Sequence, residues 1–283
     1  MAGSGRMRHS RLIGLALVAP ALSVILLLFV YPLLYSIVGA FEVADGFGVG
    51  NFERSFELYR RDVVFTFLIV GLSTLLIALL SIAIGGYLVL GGSPTAVAIL
   101  RWLYRWPLFI PFIVAGQLMR TFLAKNGLMN NALVELGLLT PMQTMSFLDW
   151  RGIVITFVWK QTPFVALLVA GAMASLDRSM FEAARNLGAS RLRILVEIIV
   201  PQVARTLLVG LILSFVIMLS VLSVPLMINP HSPTMITANM AFRINAYGDY
   251  GVANALGLIS YLMAGAVAWI YLRYALRERA GQP

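Results

Sequence analysis

Residues 179–201 read SMFEAARNLGASRLRILVEIIVP, the one long stretch between apolar runs that mixes charge, small residues and helical spacing. Ser179 followed three residues on by Glu182 has the pattern of a capping box, in which hydroxyl and carboxylate each satisfy a free amide at a helix start. Met180, Ala184 and Leu187 fall at i, i+4 and i+7 and form one apolar stripe, while Glu182, Arg185 and Asn186 project elsewhere. Gly188 supplies the left-handed residue that ends such a helix. Ser190 then caps a second helix over 191–200, and Pro201 marks the next break or helix start. The stretch predicts a helix, a tight turn and a second helix, presented from a chain that is otherwise mostly membrane.

Composition supports that setting. Hydrophobic residues make up 60% of the 283, charged residues only 12%, and the mean hydropathy is +0.90; a soluble domain carries about a quarter charged residues. The fold class expected is an all-α polytopic membrane protein surrounded by membrane lipid. The net charge of +9 does not point to nucleic acid, because the basic residues sit scattered at the ends of apolar runs and form no dense patch. There is no cysteine, and His9 and His231 are the only histidines. No cluster of metal ligands, paired carboxylates or Gly-x-Ser-x-Gly elbow appears, so no metal, cofactor or catalytic residue is expected and the chain does not read as an enzyme.

Six apolar spans are legible. After the basic start with Arg6, Arg8 and Arg11, the uncharged run from Leu12 to Phe41 is too long for a signal-peptide core and long enough to cross a bilayer. A loop over 42–62 follows, then a second span over 63–90, whose small residues Ser81, Gly85 and Gly86 favour close helix approach. Gly91 to Pro94 turn the chain. A third span, marked at its interface by Arg101, Trp102, Tyr104, Arg105 and Trp106 and containing Pro107 and Pro111, runs to Leu123. Residues 125–151 form a second outer loop with one short helix and a turn at Pro141. The fourth span covers 152–176, the fifth 206–228 and the sixth 250–272, with a loop and partial helix over 229–251 between the last two. Thirteen of the 21 Lys and Arg residues fall at the N-terminus, the turn before span three, the stretch around 178–205 and the C-terminus. That bias places both termini and residues 179–201 in the cytoplasm.

Within that layout, EAARNLGASRLRILVEIIVP resembles the Glu-Ala-Ala signature of the permease subunits of binding-protein-dependent ABC importers, with Glu182, Ala183, Ala184, Gly188 and Pro201 matching its pattern. The resemblance implies a MetI-like permease fold with a cytoplasmic coupling helix between transmembrane helices 4 and 5. It also implies that Glu182, Ala183, Ala184, Arg185, Gly188, Ala189 and Pro201 couple to an ATPase subunit. The partners so implied are a pair of ATPase subunits, a second permease subunit, an extracytoplasmic solute-binding protein and a small-molecule substrate, all at a bacterial inner membrane. The divisions expected are a cytoplasmic segment 1–11, the first helix and outer loop over 12–62, a permease core over 63–273 containing the coupling loop 177–201, and a tail over 274–283.

The stretches APALSVILLLFVYPLLYS, NGLMNNALVELGL, VWKQTPFVALLVAGAMASLD and DYGVANALG look like the carbohydrate branch of that family, the maltose and glycerol-phosphate type. Leu187 stands where that branch usually has Asp, as in the polyamine, phosphonate and ferric-iron branch. A sugar or sugar derivative is therefore the first expectation, and that second branch stays open.

The chain itself holds no nucleotide site. Lys125 and Lys160 are its only lysines and neither follows glycine in a phosphate-binding loop. Lys160 is the one charge well inside a span, where a cation costs about 2.5–3.5 kcal/mol. Two readings stay open for it: with Gln161 and Trp159 it lines the substrate path, or it forms a structural ion pair or snorkels. Pro163 is expected to disrupt the helix there. Arg120, near the outer end of span three, is a weaker path candidate. An ion-gradient transporter is the competing class; it calls for carboxylates inside the spans, and every Asp and Glu is expected outside them.

Overall fold

The computed structural model describes residues 17–44 and 46–280; the basic segment 1–11 lies outside them. Helix α1, Leu17–Phe41, is one of five helices among the described residues that are long and apolar enough to cross a membrane. Its turns widen to π spacing over Leu26–Val30, just ahead of Pro32. Proline lacks an N–H and crowds the carbonyl four residues back, and the wider turn accommodates both defects. A hairpin of β1, Glu42–Val43, antiparallel to β2, Gly46–Phe47, reverses the chain.

Helix α2 then runs unbroken from Gly50 to Leu90 over 41 residues, about 60 Å at 1.5 Å per residue. Most of the loop expected over 42–62 is therefore helix. The acid- and arginine-rich stretch NFERSFELYRRD extends α2 beyond the apolar run, since charge opposes burial in lipid but not helix formation. Asp62, expected in a loop, sits inside this helix and is 1% exposed.

The third span is broken rather than straight. Ser93 caps α3, Pro94–Leu103, and a 3-10 turn at Trp106–Phe109 leads to α4, Phe112–Leu123. The two halves meet at 110°. Pro111 holds Ile110 in an extended conformation, which ends one helix and restarts the next. The loop over 125–151 carries α5, Leu128–Glu135, and a 3-10 turn at Pro141–Gln143, the short helix and turn expected there.

Helix α6, Trp150–Ala174, passes through Pro163 without interruption, against the expected disruption. Helix α7, Arg178–Asn186, and helix α8, Arg191–Ser220, follow. The fifth span stops at Ser220 instead of reaching Ile228: Val221 is extended and a separate short helix, α9, covers Ser223–Ile228. Helix α10, Ile236–Phe242, continues as a π turn to Tyr247, and α11 runs from Tyr250 to Ala280, past the expected start of the tail.

Two compact units divide the chain. In the first, residues 17–58 and 240–259, Asn51 Nδ2 donates to the carbonyls of Ala40 and Glu42 at 3.2 and 2.8 Å, tying the start of α2 to the end of α1. Ser36 donates to Asn254 Oδ1 at 2.9 Å. A side chain at Gly251 would collide with Asn51, which explains the glycine.

The second unit, residues 59–239 and 260–280, holds the apolar core, where Ile77, Phe157, Met173, Ile194, Ile199 and Met218 are fully buried. The small residues of α2 act as expected: a Cβ on Gly85 would meet Met173 of α6 at 3.0 Å, and one on Gly86 would meet Leu195 of α8 at 2.7 Å. Asp62 accepts from the Thr234 amide at 2.7 Å and the Ser232 hydroxyl at 3.2 Å. One turn on, Thr66 Oγ1 accepts from the Ile236 amide at 2.9 Å. The segment leading into α10 is thereby fastened to α2.

Candidate functional site

Helix α7 is shaped by its two ends. Asp177, not Ser179, is the cap: its carboxylate accepts from the Ser179 amide at 2.9 Å. That bond, with a further one from the Ser179 side chain, holds the Asp177 carboxyl below its usual value. The expected Ser179–Glu182 capping box does not form. A full negative charge is a better partner for the helix N-terminus than a hydroxyl, so the helix starts at Arg178. Glu182 is then too far along to reach back, and it has no hydrogen-bond or ion-pair partner among the described residues.

The other end is a Schellman closure. Ala189 N donates to Ala184 O at 3.0 Å and Gly188 N to Arg185 O at 2.9 Å, with Gly188 at φ +84°. This left-handed turn removes Leu187 from the stripe, leaving it 89% exposed, and Phe181 takes its place at 6% exposed. Phe181, Met180, Ala184 and Ala189 pack on the core. Arg178, Glu182 and Arg185 face a crevice of about 570 Å³ that α7 forms with the Gly91–Gly92 turn, Arg191 and Ile194.

Ser190 caps α8 as expected, accepting from the Arg193 amide at 3.3 Å. Pro201 lies in the first turn of the regular α-helical part of α8, Val200–Ser220, directly after a π stretch at Ile194–Ile199 where Val200 N reaches Leu195 O; it marks a change of helical spacing within a continuous helix. As at Pro32, the wider turn makes room for the ring.

A second group of polar atoms lies inside the bundle, on α6. Lys160 is 7% exposed and Gln161 4%, and Trp159 is half-buried. The Lys160 ammonium donates to the Leu108 carbonyl at 3.4 Å and lies 5.2 Å from the centre of the Phe112 ring. That carbonyl is free because the helix breaks at Ile110 and Pro111 before a fourth-residue amide closes on it. Among the described residues Lys160 thus forms no ion pair; its contact is with the bend between α3 and α4.

At the same level of the bundle, Gln161 Nε2, Thr162 Oγ1 and Ser214 Oγ are buried without hydrogen-bond partners among the described residues. A Cβ on Gly210 of α8 would meet Val165 of α6 at 3.3 Å. The two helices run antiparallel, so Ser214, one turn further, comes level with Gln161. Arg120 is exposed and lies eight residues past Phe112, about 12 Å along α4; the structure does not bring it into this group. Sequence reasoning missed Thr162, Ser214 and Asp62, although a lone hydroxyl within LILSFVIM was a visible signal.

Residues 46–279 match the family described as binding-protein-dependent transport system inner membrane component. The chain is 26% identical over 289 residues to the sulfoquinovosyl glycerol transport system permease protein of Agrobacterium fabrum, covering 93% of this chain and 90% of that one. It is also 26% identical over 290 residues to the trehalose/maltose transport system permease protein of Thermococcus litoralis, covering 92% of each. Among solved structures, a chain of a bacterial alginate ABC transporter in complex with alginate pentasaccharide-bound periplasmic protein superposes with a TM-score of 0.78 at 20% identity, covering 98% of each chain.

Proposed function

We propose, on the premise that this chain belongs to the family of binding-protein-dependent transport system inner membrane components, that α7 is the surface through which ATP hydrolysis on a separate chain moves this permease. The chain is a multi-pass permease subunit of an ABC importer. In our reading its termini and the loop 177–201 face the cytoplasm, and a pair of ATPase subunits receives α7. A second permease subunit completes the path and an extracytoplasmic binding protein delivers the solute.

One observation carries the coupling role. Both ends of α7 are closed by hydrogen bonds and one face is anchored in the core, while the charges of Arg178, Glu182 and Arg185 on its other face have no partner among the described residues. A rigid short helix joined directly to α6 and α8 passes any displacement to both spans. Glu182, Ala183, Ala184, Arg185, Gly188 and Ala189 belong to this element or its hinge, and Pro201 lies further on, within α8.

The cargo proposed is a sugar or sugar derivative. Support comes from relatives whose names specify sulfoquinovosyl glycerol and trehalose/maltose, from the buried polar atoms of Gln161, Thr162 and Ser214 that have no partner among the described residues, and from the Lys160 ammonium, held by a single long bond to a carbonyl; such groups suit a ligand rich in oxygen acceptors. Lys160, Gln161 and Trp159 then line the path, with Arg120 toward its outer end.

The test is co-purification of the tagged chain followed by ATPase assay with the recovered binding protein. Gly188→Val places a branched side chain at φ +84°, a strain of roughly 1–3 kcal/mol. It should abolish binding-protein-stimulated ATPase activity and uptake while the chain still inserts. Unchanged uptake would remove α7 from the coupling path.

A further inference from the structure

We propose that the groove between α3 and the inner halves of α2 and α6 holds one anionic phospholipid, its phosphate on Arg101, Arg105 and Tyr104 and an acyl chain against Leu167 and Gly171. The groove encloses about 220 Å³. Its polar end is basic: Arg101 has no partner among the described residues, and Arg105 Nε donates to the Tyr104 hydroxyl at 3.2 Å, which leaves the phenol proton free to donate. No Asp or Glu occurs at positions 63–134 or 150–176, the stretches that supply all three walls. The two exposed guanidinium groups form no ion pair among the described residues, and a phosphate offers them charge-assisted, bidentate acceptors.

The rest of the groove is suited to hydrocarbon. Leu88, Leu167, Ala170, Gly171 and Ala174 form its floor, and a Cβ on Gly171 would meet nothing within 4 Å. The absent side chain is therefore not explained by helix packing; it leaves the groove open. Next to the arginines, Trp102 and Trp106 are 59% and 56% exposed and stacked edge to face at 4.6 Å, as aromatic side chains do at the headgroup level of a bilayer. Basic pockets between spans at the cytoplasmic face are suited to anionic headgroups. The cytoplasmic leaflet is the only part of this proposal that rests on the orientation proposed above. Ala174 ends α6 and Asp177 caps α7 three residues later, so an occupant here sits within one turn of the coupling helix and biases its position.

The experiment uses the assembled importer, reconstituted in phosphatidylcholine with increasing phosphatidylglycerol, and measures both the phosphatidylglycerol that survives detergent washing and the stimulated ATPase rate. Wild type should retain phosphatidylglycerol and gain activity with it. Arg101→Gln and Arg105→Gln should each weaken retention about fivefold, and both together by about 25-fold. Gly171→Leu keeps both arginines and fills the groove, so it should expel the lipid at unchanged thermal stability. Equal retention by wild type and Gly171→Leu would overturn the proposal. So would displacement of phosphatidylglycerol by inorganic phosphate at matched concentration, which would make this a site for the free anion. Lipid retention is scored on this chain even if no ATPase co-purifies, so failure of the importer assembly and failure of the lipid site remain distinguishable.

Discussion

Helix α7 and the Lys160 level of α6 are opposite kinds of site within one unit of the molecule. In α7 both ends are capped, by Asp177 and by the Gly188 closure, and the unpartnered side chains are exposed charges. At Lys160 the unpartnered groups are buried, three of them without a hydrogen bond. Exposed charges without partners cost little in water, so α7 waits for a protein at no penalty. Buried donors carry a desolvation cost until something meets them, so the interior site is the one that must change when it is used. On the proposed function, a capped surface helix would serve as the handle and the unsatisfied polar interior as the part that rearranges.

Lys160→Met breaks the comparison most sharply, because it keeps the length and removes the charge. If the ammonium meets cargo, losing a charge-assisted bond of about 1.5–3 kcal/mol lowers uptake efficiency roughly ten- to a hundredfold, mostly through KM, with the chain still inserted. If it serves only to brace Leu108 and the bend at Pro111, thermal stability falls and KM does not move. Transport kinetics alongside a melting curve in detergent separate the two.

Asp177→Ala probes the handle and has a smaller effect. The expected result is a severalfold loss of binding-protein-stimulated ATPase activity, with Asp177→Asn restoring most of it because the amide oxygen still caps the helix. Since the folded pKa of Asp177 lies below the ordinary 3.8, its contribution is fully present above that value and is lost as pH falls through the lowered one. Stimulated activity therefore owes nothing to this group's titration between pH 5 and pH 8, and a profile that changes in that window on Asp177→Asn would contradict the capping role.

How much of this was legible in the sequence follows the range of each interaction. The helix, left-handed Gly188 turn and Ser190 cap are local, and the residues around 179–201 announced them; the error of choosing Ser179 over Asp177 is a competition between two caps two residues apart. The prolines of span three were visible, yet the 110° bend depends on α9 packing on α4, where a Cβ on Gly116 would meet Met227 at 3.4 Å. Asp62 was placed in a loop because its partners, Ser232 and Thr234, lie 170 and 172 residues away, and no local pattern encodes them. Lys160 was singled out from its charge alone, but its brace on Leu108 needed the broken helix to free the carbonyl.

The smallest expected effect lies at Ser214, and it sharpens the contrast from the interior side. Its hydroxyl is buried without a partner, so Ser214→Ala deletes a desolvated group and removes no bond. Stability should stay the same or rise by about 0.5–1 kcal/mol, since replacing an unsatisfied polar group by an apolar one of similar shape is neutral or favourable. If the hydroxyl serves only packing, transport is untouched as well. If it meets cargo when α6 and α8 part, KM rises severalfold while stability does not fall. A stable protein that binds its substrate less well is the signature of a residue retained for function against its own folding energy, and a drop in melting temperature would instead reveal a structural partner for Ser214 and return it to the core.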